Sequence, residues 1–370
     1  MILVLFASVF TMVGFYLLLS VVPLYAEAAG GGNSGAGSAT AVFMLSTVLA
    51  QVGMPHVMAR FGYRVVLVAG LLLLGLPAFL YLSFEEVPAI LAVTLVRGAG
   101  FGAAIVALAA LVTELAPPGR RGEALGLYGV ALTLPTVFCG ALGLWIVERS
   151  GFALVFLIGA LAPLLAFVAA LGISSPDRRG EREGAGFLSL FGRPSLLRIF
   201  LLFTSCTAAS GVVVTFLPLS APGPGLFSAA TALLALGLAS TLSRWWAGRF
   251  GDRRDPRLLL APGLVCAALG MVALSSEGLV LLGGALLFGA GFGTLQNATL
   301  LLTMQRVSKS EYGLGSTLWN VAFDAGTGAG AFVFGFVVGA AGFSWAFGLC
   351  AGLLVAALAL IPGAGEGELS

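Results

Sequence analysis

The sequence contains few charged residues, one histidine and one lysine. Charged residues make up 9% of the 370 residues, whereas a soluble domain carries about 25%. Hydrophobic residues make up 59%, and the mean hydropathy is +1.07. A chain of this composition cannot cover its surface with polar groups, so we expect a protein that is solvated by the lipid bilayer.

Clustered metal-binding or catalytic residues are also lacking. The four cysteines lie in apolar runs with no CxxC or CxxH spacing, whereas a membrane-embedded enzyme needs several histidines, a Ser/Lys pair or paired aspartates. We therefore expect no metal, no cofactor and no enzymatic activity. The net charge of +2 gives no support for a nucleic-acid partner. An embedded enzyme and a receptor without solute flux remain distant alternatives.

Long apolar runs dominate what is present. A helix needs about 20 apolar residues to cross a membrane, and breaks of Gly, Pro and charge leave about twelve such runs. Because the runs are continuous rather than alternating, they favour helices over strands. We predict an all-α integral membrane fold with about twelve spans, at residues 2–26, 39–59, 65–83, 87–115, 124–147, 152–173, 198–219, 227–248, 258–275, 278–304, 314–339 and 344–362.

Arginine and lysine lie almost entirely on one side of the predicted membrane. Sixteen of them follow spans two, four, six, eight and ten or end span eight, and only Arg149 lies in the opposite connections. Since basic loops stay in the cytoplasm, we expect a cell-membrane protein with both termini cytoplasmic. Residues 2–26 lack a basic leader, so we expect a retained helix rather than a cleaved signal. A start further upstream stays open.

The two halves repeat each other at an offset of about 190 residues. Gly98-Ala99-Gly100-Phe101-Gly102 recurs as Gly289-Ala290-Gly291-Phe292-Gly293, on the same side of the membrane. Such a parallel repeat predicts two pseudo-symmetric six-helix bundles with a site between them. We place these bundles at 1–175 and 198–370, joined by a cytoplasmic linker at 176–197. The glycine runs follow no βαβ unit, so we assign them to helix packing rather than nucleotide binding.

The segment Gly248-Arg249-Phe250-Gly251-Asp252-Arg253-Arg254-Asp255-Pro256-Arg257 follows span eight. It resembles the cytoplasmic loop motif of the major facilitator superfamily. The resemblance implies a transporter fold of two six-helix bundles. It also implies a charged latch that biases inward-facing against outward-facing states, formed by Gly248, Asp252, Arg253 and Arg257.

The corresponding loop after span two departs from this motif. Arg60 and Arg64 are present, but Ala59 stands where the family has Asp. A latch in this half needs another acid, and we predict Glu114 at the cytoplasmic end of span four.

Span five carries part of the family's antiporter signature. That signature is a Gly-Pro pair followed by glycines, and Pro135, Gly140 and Gly143 meet it in part. The segment Pro117 to Gly129 before it resembles the family's loop before helix five. The resemblance therefore favours export.

Polar residues follow one face of span eleven. Thr317, Asn320, Asp324 and Thr327 are spaced by three, four and three residues, which places them on one helical face. A carboxyl in apolar surroundings binds a proton more readily than one in water, so Asp324 is our candidate proton carrier. A structural hydrogen bond to a neighbouring helix is the alternative.

Arg97 is the only basic residue deep within a span. In the family, helices one, four, seven and ten line the cavity, so the resemblance places Arg97 towards the substrate. An anionic substrate group and a carboxylate partner are both open. Span ten carries a weaker set of polar candidates, Gln296, Asn297, Thr299 and Thr303.

Together these features predict a secondary transporter, preferably for proton-coupled efflux of a drug-like or metabolite compound. Facilitated or proton-coupled uptake of a sugar or organic acid is the alternative. The spans are poor in Asn and Gln, which favours a hydrophobic substrate. The expected partners are a small-molecule substrate, a proton or other coupling ion and the lipid bilayer, and we expect a monomer.

Overall fold

A computed structural model describes residues 1–115, 121–173, 190, 192–223, 225–308 and 311–361. Most of the predicted linker, the loop at 116–120, Lys309 and the C-terminal tail lie outside these residues. The described part contains helices and no strand, as predicted. The chain divides into two compact units, Met1–Glu183 and Gly184–Ser370.

The described residues of the first unit form seven α-helices. They are joined by a π-helical turn at Glu27–Gly31 and by a 3₁₀ turn at Leu76–Leu82. The helices are α1 Ile2–Leu19, α2 Val21–Ala26, α3 Gly32–Phe61, α4 Tyr63–Gly75, α5 Val87–Leu115, α6 Arg121–Ser150 and α7 Phe152–Leu171.

In the second unit, the part that the structure describes forms six α-helices. 3₁₀ turns at Pro256–Leu259 and Ala357–Leu360 extend two of them. The helices are α8 Pro194–Ser220, α9 Ala229–Gly251, α10 Leu260–Leu274, α11 Gly278–Gln305, α12 Tyr312–Ala341 and α13 Phe343–Ala356.

Ten helical stretches in the described residues are long and apolar enough to cross a membrane. The first of them, Ile2–Met54, has 53 residues. At 1.5 Å per residue it would measure about 80 Å, far more than the roughly 30 Å of a bilayer core. Gly30 (φ 90°) and Gly32 (φ 56°) adopt backbone conformations that side chains disfavour and turn the chain there. The stretch is therefore two spans, as predicted.

Helix α9 is not among the ten stretches, although it was predicted as span eight. Arg244 and the tryptophans after it, Trp245 and Trp246, lower its mean hydropathy. With α9 included, the helices follow the twelve predicted runs in order, with ends that differ by a few residues. The all-α membrane fold is confirmed.

Large apolar side chains cover much of the outer surface. Leu49, Leu242 and Trp345 are each about two-thirds exposed, at 65%, 66% and 65%. A water-soluble monomer seldom exposes apolar patches on this scale. These surfaces suit contact with lipid tails.

The glycine repeat has the same packing role in each unit. A side chain at Gly98 or Gly102 would overlap the backbone of α3, and one at Gly100 would overlap α4. In the second unit Gly289 and Gly293 face α9, and Gly291 faces α10. Small residues let membrane helices approach closely, so the glycines fix how three helices pack within each unit.

Candidate functional site

The side chain of Arg97 is buried inside the first unit, with 2% of its surface exposed. Its Nε donates to the carbonyl of Leu74 (3.1 Å), and its Nη2 donates to the carbonyl of Gly14 (3.3 Å). Its guanidinium carbon lies 5.8 Å from the Phe43 ring centre and 5.6 Å from that of Tyr81. Four different segments therefore hold this cation.

The Leu74 carbonyl is available because α4 ends there. The last carbonyls of an α-helix have no intrahelical donor, and the 3₁₀ turn that follows contains Pro77 near its start. Tyr81 lies in the same turn and is 1% exposed. Its hydroxyl lies 2.8 Å from Thr94 Oγ1, and Thr94 donates its own proton to the Ile90 carbonyl. Tyr81 is therefore the donor to Thr94.

Arg97 lines a narrow cleft within the first unit. Thr40 and Thr94 are its other polar walls, and both are 2% exposed. The remaining walls come mainly from α1, α2 and α3 and are apolar: Phe15, Leu18, Leu19, Val22, Pro23, Ala39 and Phe43. We call this space the Arg97 cleft.

The first span is interrupted beside the Arg97 cleft. Helix α1 ends at Leu19 and α2 begins at Val21, with Ser20 between them. Pro23 has no N–H, so it cannot bond the carbonyl of Leu19 four residues earlier. Interrupted helices are typical of transporter binding sites.

Asp324 lies in α12 of the second unit and is 5% exposed. It is the only buried acid among those whose burial is described. Ala322 faces α8, since its carbonyl accepts from Thr207 Oγ1 at 3.0 Å. Asp324 is two residues further along, about 200° around the helix. Asp324 and Ala322 therefore lie on different sides of α12.

The polar residues predicted to share one face of α12 lie in different surroundings. The backbone of Thr327 lies against Gly211 of α8, and its hydroxyl donates to the Phe323 carbonyl at 2.8 Å. Asn320 is partly buried, one turn before Asp324. Thr317 donates to the Gly313 carbonyl within its own helix.

A second arginine joins the polar residues of α11 and α12. Arg244 Nη1 donates to Gln296 Oε1 at 3.4 Å, and its guanidinium lies 5.9 Å from the Trp319 ring centre. Trp319 Nε1 donates to Thr299 Oγ1 at 3.1 Å. Sequence reasoning placed Arg244 at a helix end and did not single out Trp319. The one available signal was Arg244 within an otherwise uncharged helical run.

Asn297 lies on α11 beside the predicted latch. A side-chain atom at Gly248 would be 3.3 Å from Asn297 Nδ2, so α9 and α11 meet closely at the motif glycine. Asn297 Oδ1 is buried without a hydrogen-bond partner among the described residues.

The charged residues of the loop after α9 lie at the surface. Asp252 and Arg253 are exposed, and within the described residues no ion pair joins them. The acid that forms a pair is Asp255, which accepts from the backbone N–H and from Nε of Arg257, both at 2.9 Å. The structure thus places a local Asp255–Arg257 pair beside the predicted latch residues.

In the first unit, Arg64 donates to the carbonyl of Leu171, the last residue of α7. A cation at a helix C-terminus is favourable. Arg60 lies 5.3 Å from the ring centre of Phe61. Neither arginine pairs with Glu114 among the residues that the structure describes.

A pair that sequence reasoning missed links the start of α8 to the start of α12. Arg193 Nη2 and Nη1 donate to the Glu311 carboxylate at 2.6 and 3.1 Å. The Ser308 N–H and hydroxyl also donate to it, each at 3.0 Å. These hydrogen bonds, Arg193 first, lower the pKa of Glu311 to about 2. A Ser-x-x-Glu capping signal at 308–311 was the available clue.

Within the described residues no group of three or more His, Cys, Asp or Glu side chains is placed to hold a metal ion. Apolar exposed surfaces, the membrane-length helices of the described residues and buried ionisable groups define a multi-pass α-helical membrane protein. The chain belongs to the Major Facilitator Superfamily, which it matches over residues 4–331 and, in a second match, 247–364. It is therefore a member of a transporter family rather than an enzyme family.

Solved structures of transporters have a similar fold. The human organic anion transporter MFSD10 (TETRAN) is 17% identical, covers 97% of this chain and 98% of its own, and gives a TM-score of 0.70. A mutant of the nucleoside transporter NupG is 15% identical to this chain. The match covers 97% of this chain and 100% of that chain, with a TM-score of 0.77. The xylose transporter XylE from E. coli is 16% identical to this chain. The match covers 98% of this chain and 97% of that chain, with a TM-score of 0.76. At these identities the likeness concerns the fold alone.

Proposed function

We propose that this protein is a secondary transporter that exports a small organic solute by alternating access, coupled to protons through Asp324. The main observation behind this proposal is the burial of Asp324. It is 5% exposed and is the only buried acid among those whose burial is described. A buried intramembrane carboxylate is costly, and such groups typically mark proton relays. Asn320, Thr327, Gln296 and Asn297 are the polar residues proposed to accompany it.

Export is the preferred direction because of helix α6. Pro135 is buried inside this helix, and a side chain at Gly143 would be 2.5 Å from the carbonyl of Leu17 in α1. A proline and a glycine there let α6 bend and pack closely on α1. This is the part of the antiporter signature that the sequence retains.

Proton-coupled uptake of an organic acid is the second candidate. The observation that favours it is the buried cation of Arg97. Flux measured in both directions across the same liposomes separates uptake from export.

The experiment uses purified protein in proteoliposomes that contain a pH-sensitive dye. A pH gradient should drive accumulation of ethidium or benzoate, and Asp324→Asn should abolish it because the amide carries no proton. The control is Glu277→Gln, since Glu277 is exposed at the start of α11. Gradient-driven flux that persists in Asp324→Asn would remove the proton-carrier role.

We further propose a cell-membrane location with both termini and the 176–197 linker in the cytoplasm, and a monomeric protein. The bundles at 1–175 and 198–370 are part of this proposal. The fifteen basic residues of one set of connections, together with Arg244 at the end of span eight, support it. Labelling of a cysteine placed within Asp177–Glu183 by a membrane-impermeant reagent on intact cells would contradict it.

A further inference from the structure

We propose that the C-terminal half of α9 binds an anionic phospholipid of the surrounding bilayer. Arg249 and Arg254 hold the headgroup phosphate, and an acyl chain lies along the helix that leads to them. The partner is a lipid with a net negative charge, such as phosphatidylglycerol. This inference goes beyond transport, since it concerns the lipid-facing surface and holds whatever solute is carried. We call this surface the α9 lipid site.

One exposed face of α9 runs from apolar side chains to a cation. Leu238, Leu242, Trp245 and Arg249 are spaced by four, three and four residues, which places them on one helical face. All four are exposed, Leu242 at 66% and Trp245 at 59%. At 1.5 Å per residue, the helix rises about 16 Å from Leu238 to Arg249, about half of a bilayer core of roughly 30 Å. This face therefore matches the depth of one leaflet, with the cation at the headgroup end.

Both arginines lie over aromatic rings. The guanidinium carbon of Arg249 is 4.2 Å from the ring centre of Trp245, and that of Arg254 is 5.6 Å from the ring centre of Phe250. The rings of Phe250 and Trp246 are in turn 5.5 Å apart, centre to centre. A guanidinium that lies over a ring is held through its face, so the N–H groups at its edge can donate to a phosphate. Exposed tryptophans at the end of a membrane helix are typical of the headgroup level.

The positive charge of this surface is not neutralised within the part of the chain that the structure describes. Neither Arg249 nor Arg254 forms an ion pair there, and Asp255 of the same loop accepts from Arg257. Asp252 is the one other acid between 248 and 257. Basic residues beside a bilayer attract anionic headgroups. A zwitterionic lipid also brings an ammonium group, which the two arginines repel, so the surface favours a lipid with net negative charge.

A similar arginine on α6 differs in its neighbour. Arg149 lies 5.4 Å from the ring centre of Trp145, at the same four-residue spacing as Arg249 and Trp245. An acid, Glu148, directly precedes it. Helix α9 instead adds a second arginine on an aromatic ring. Two such cations can each donate to a different oxygen of one phosphate, because hydrogen bonds from a guanidinium to an anion are the strong ones.

The test measures how brominated lipids quench tryptophan fluorescence of the full-length protein in vesicles. Trp145→Phe and Trp345→Phe leave Trp245 and Trp246 as the exposed tryptophans, since Trp319 is partly buried. Brominated phosphatidylglycerol in a phosphatidylcholine bilayer should reach them with at least about fivefold higher relative affinity than brominated phosphatidylcholine. Soluble glycerol phosphate should not displace it, because that anion lacks the acyl chain. Equal quenching by the two lipids, or displacement by glycerol phosphate, would overturn the proposal.

Variants then locate the site. Arg249→Gln and Arg254→Gln should each reduce the preference for phosphatidylglycerol, and together they should bring the relative affinity close to one. Arg253→Gln is the matched control, because Arg253 is exposed in the same loop and lies over no aromatic ring among the described residues. It should keep most of the preference. Equal losses in Arg253→Gln and Arg249→Gln would indicate diffuse attraction and overturn the site. Since all three side chains are exposed, the melting temperature should stay at the wild-type value.

The outcome is separable from that of the proposed function. A preference for phosphatidylglycerol in a protein that carries no solute would support the α9 lipid site and contradict transport. Gradient-driven flux of ethidium without that preference would support transport and overturn the α9 lipid site.

Discussion

Helix α5 in the first unit and helix α11 in the second carry the same Gly-Ala-Gly-Phe-Gly run, with the same helices packed on it, but the units bury different charges. The first unit buries Arg97 in mid-helix, and the second buries Asp324 in mid-helix and Arg306 at the end of α11. Repetition has therefore preserved the packing and not the chemistry. The buried acid, which is the proposed proton carrier, lies in the second unit.

The loops that follow α3 in the first unit and α9 in the second differ in the same way. In the first unit Arg64 bonds the end of α7, whereas in the second unit Asp255 and Arg257 pair within the loop itself. The second unit alone has the motif aspartate, Asp252. If one of the two loops acts as a latch, the loop after α9 is the better candidate, because it contains Asp252.

The largest effect is expected where the units are alike. Gly98→Val and Gly289→Val should each destabilise the protein by about 3 kcal/mol or more, because the added atoms meet backbone that cannot move aside. Thermal unfolding of purified protein measures this. Gly53→Val and Gly348→Val are matched controls, since a side-chain atom at either position meets nothing within 4 Å. If only one of the two glycine variants lowered the stability, the two glycine runs would not have equivalent packing roles.

A smaller effect, on flux rather than stability, is expected at the latch. Asp252→Asn should slow transport roughly tenfold, the effect of about 1.4 kcal/mol on an equilibrium between two conformations. Melting temperature should not change, because Asp252 is exposed. Asp255→Asn is the control. It breaks a surface pair that contributes at most about 1 kcal/mol, and equal slowing by both variants would contradict a specific role for Asp252.

The smallest effect concerns the Arg193–Glu311 pair, which has no counterpart among the described contacts of the first unit. Because the pKa of Glu311 is lowered to about 2, its stabilisation is complete above its usual value of 4.5 and is lost as the pH falls through about 2. Glu311→Gln should lower the melting temperature slightly at pH 7 and flatten its decline at acid pH. Glu277→Gln should leave both unchanged. A wild-type decline retained in Glu311→Gln would contradict this assignment.

The fold could be predicted almost entirely from the sequence, because each membrane span needs a long apolar run and leaves a visible break. The position of Arg97 in mid-span was also visible. Its contacts were not, since Tyr81 and Phe43 reach it from segments far away in sequence. Trp319 and Glu311 were missed for the same reason. Asp252 matched a motif, but a motif cannot specify which acid of the loop pairs with Arg257.

The proton-carrier role of Asp324 is tested most directly by the pH dependence of ethidium exchange in liposomes without a pH gradient. Exchange by the wild-type protein should change with pH, and Asp324→Asn should retain exchange and lose the pH dependence. An Asp324→Asn protein that exchanges ethidium with the wild-type pH profile would contradict the account.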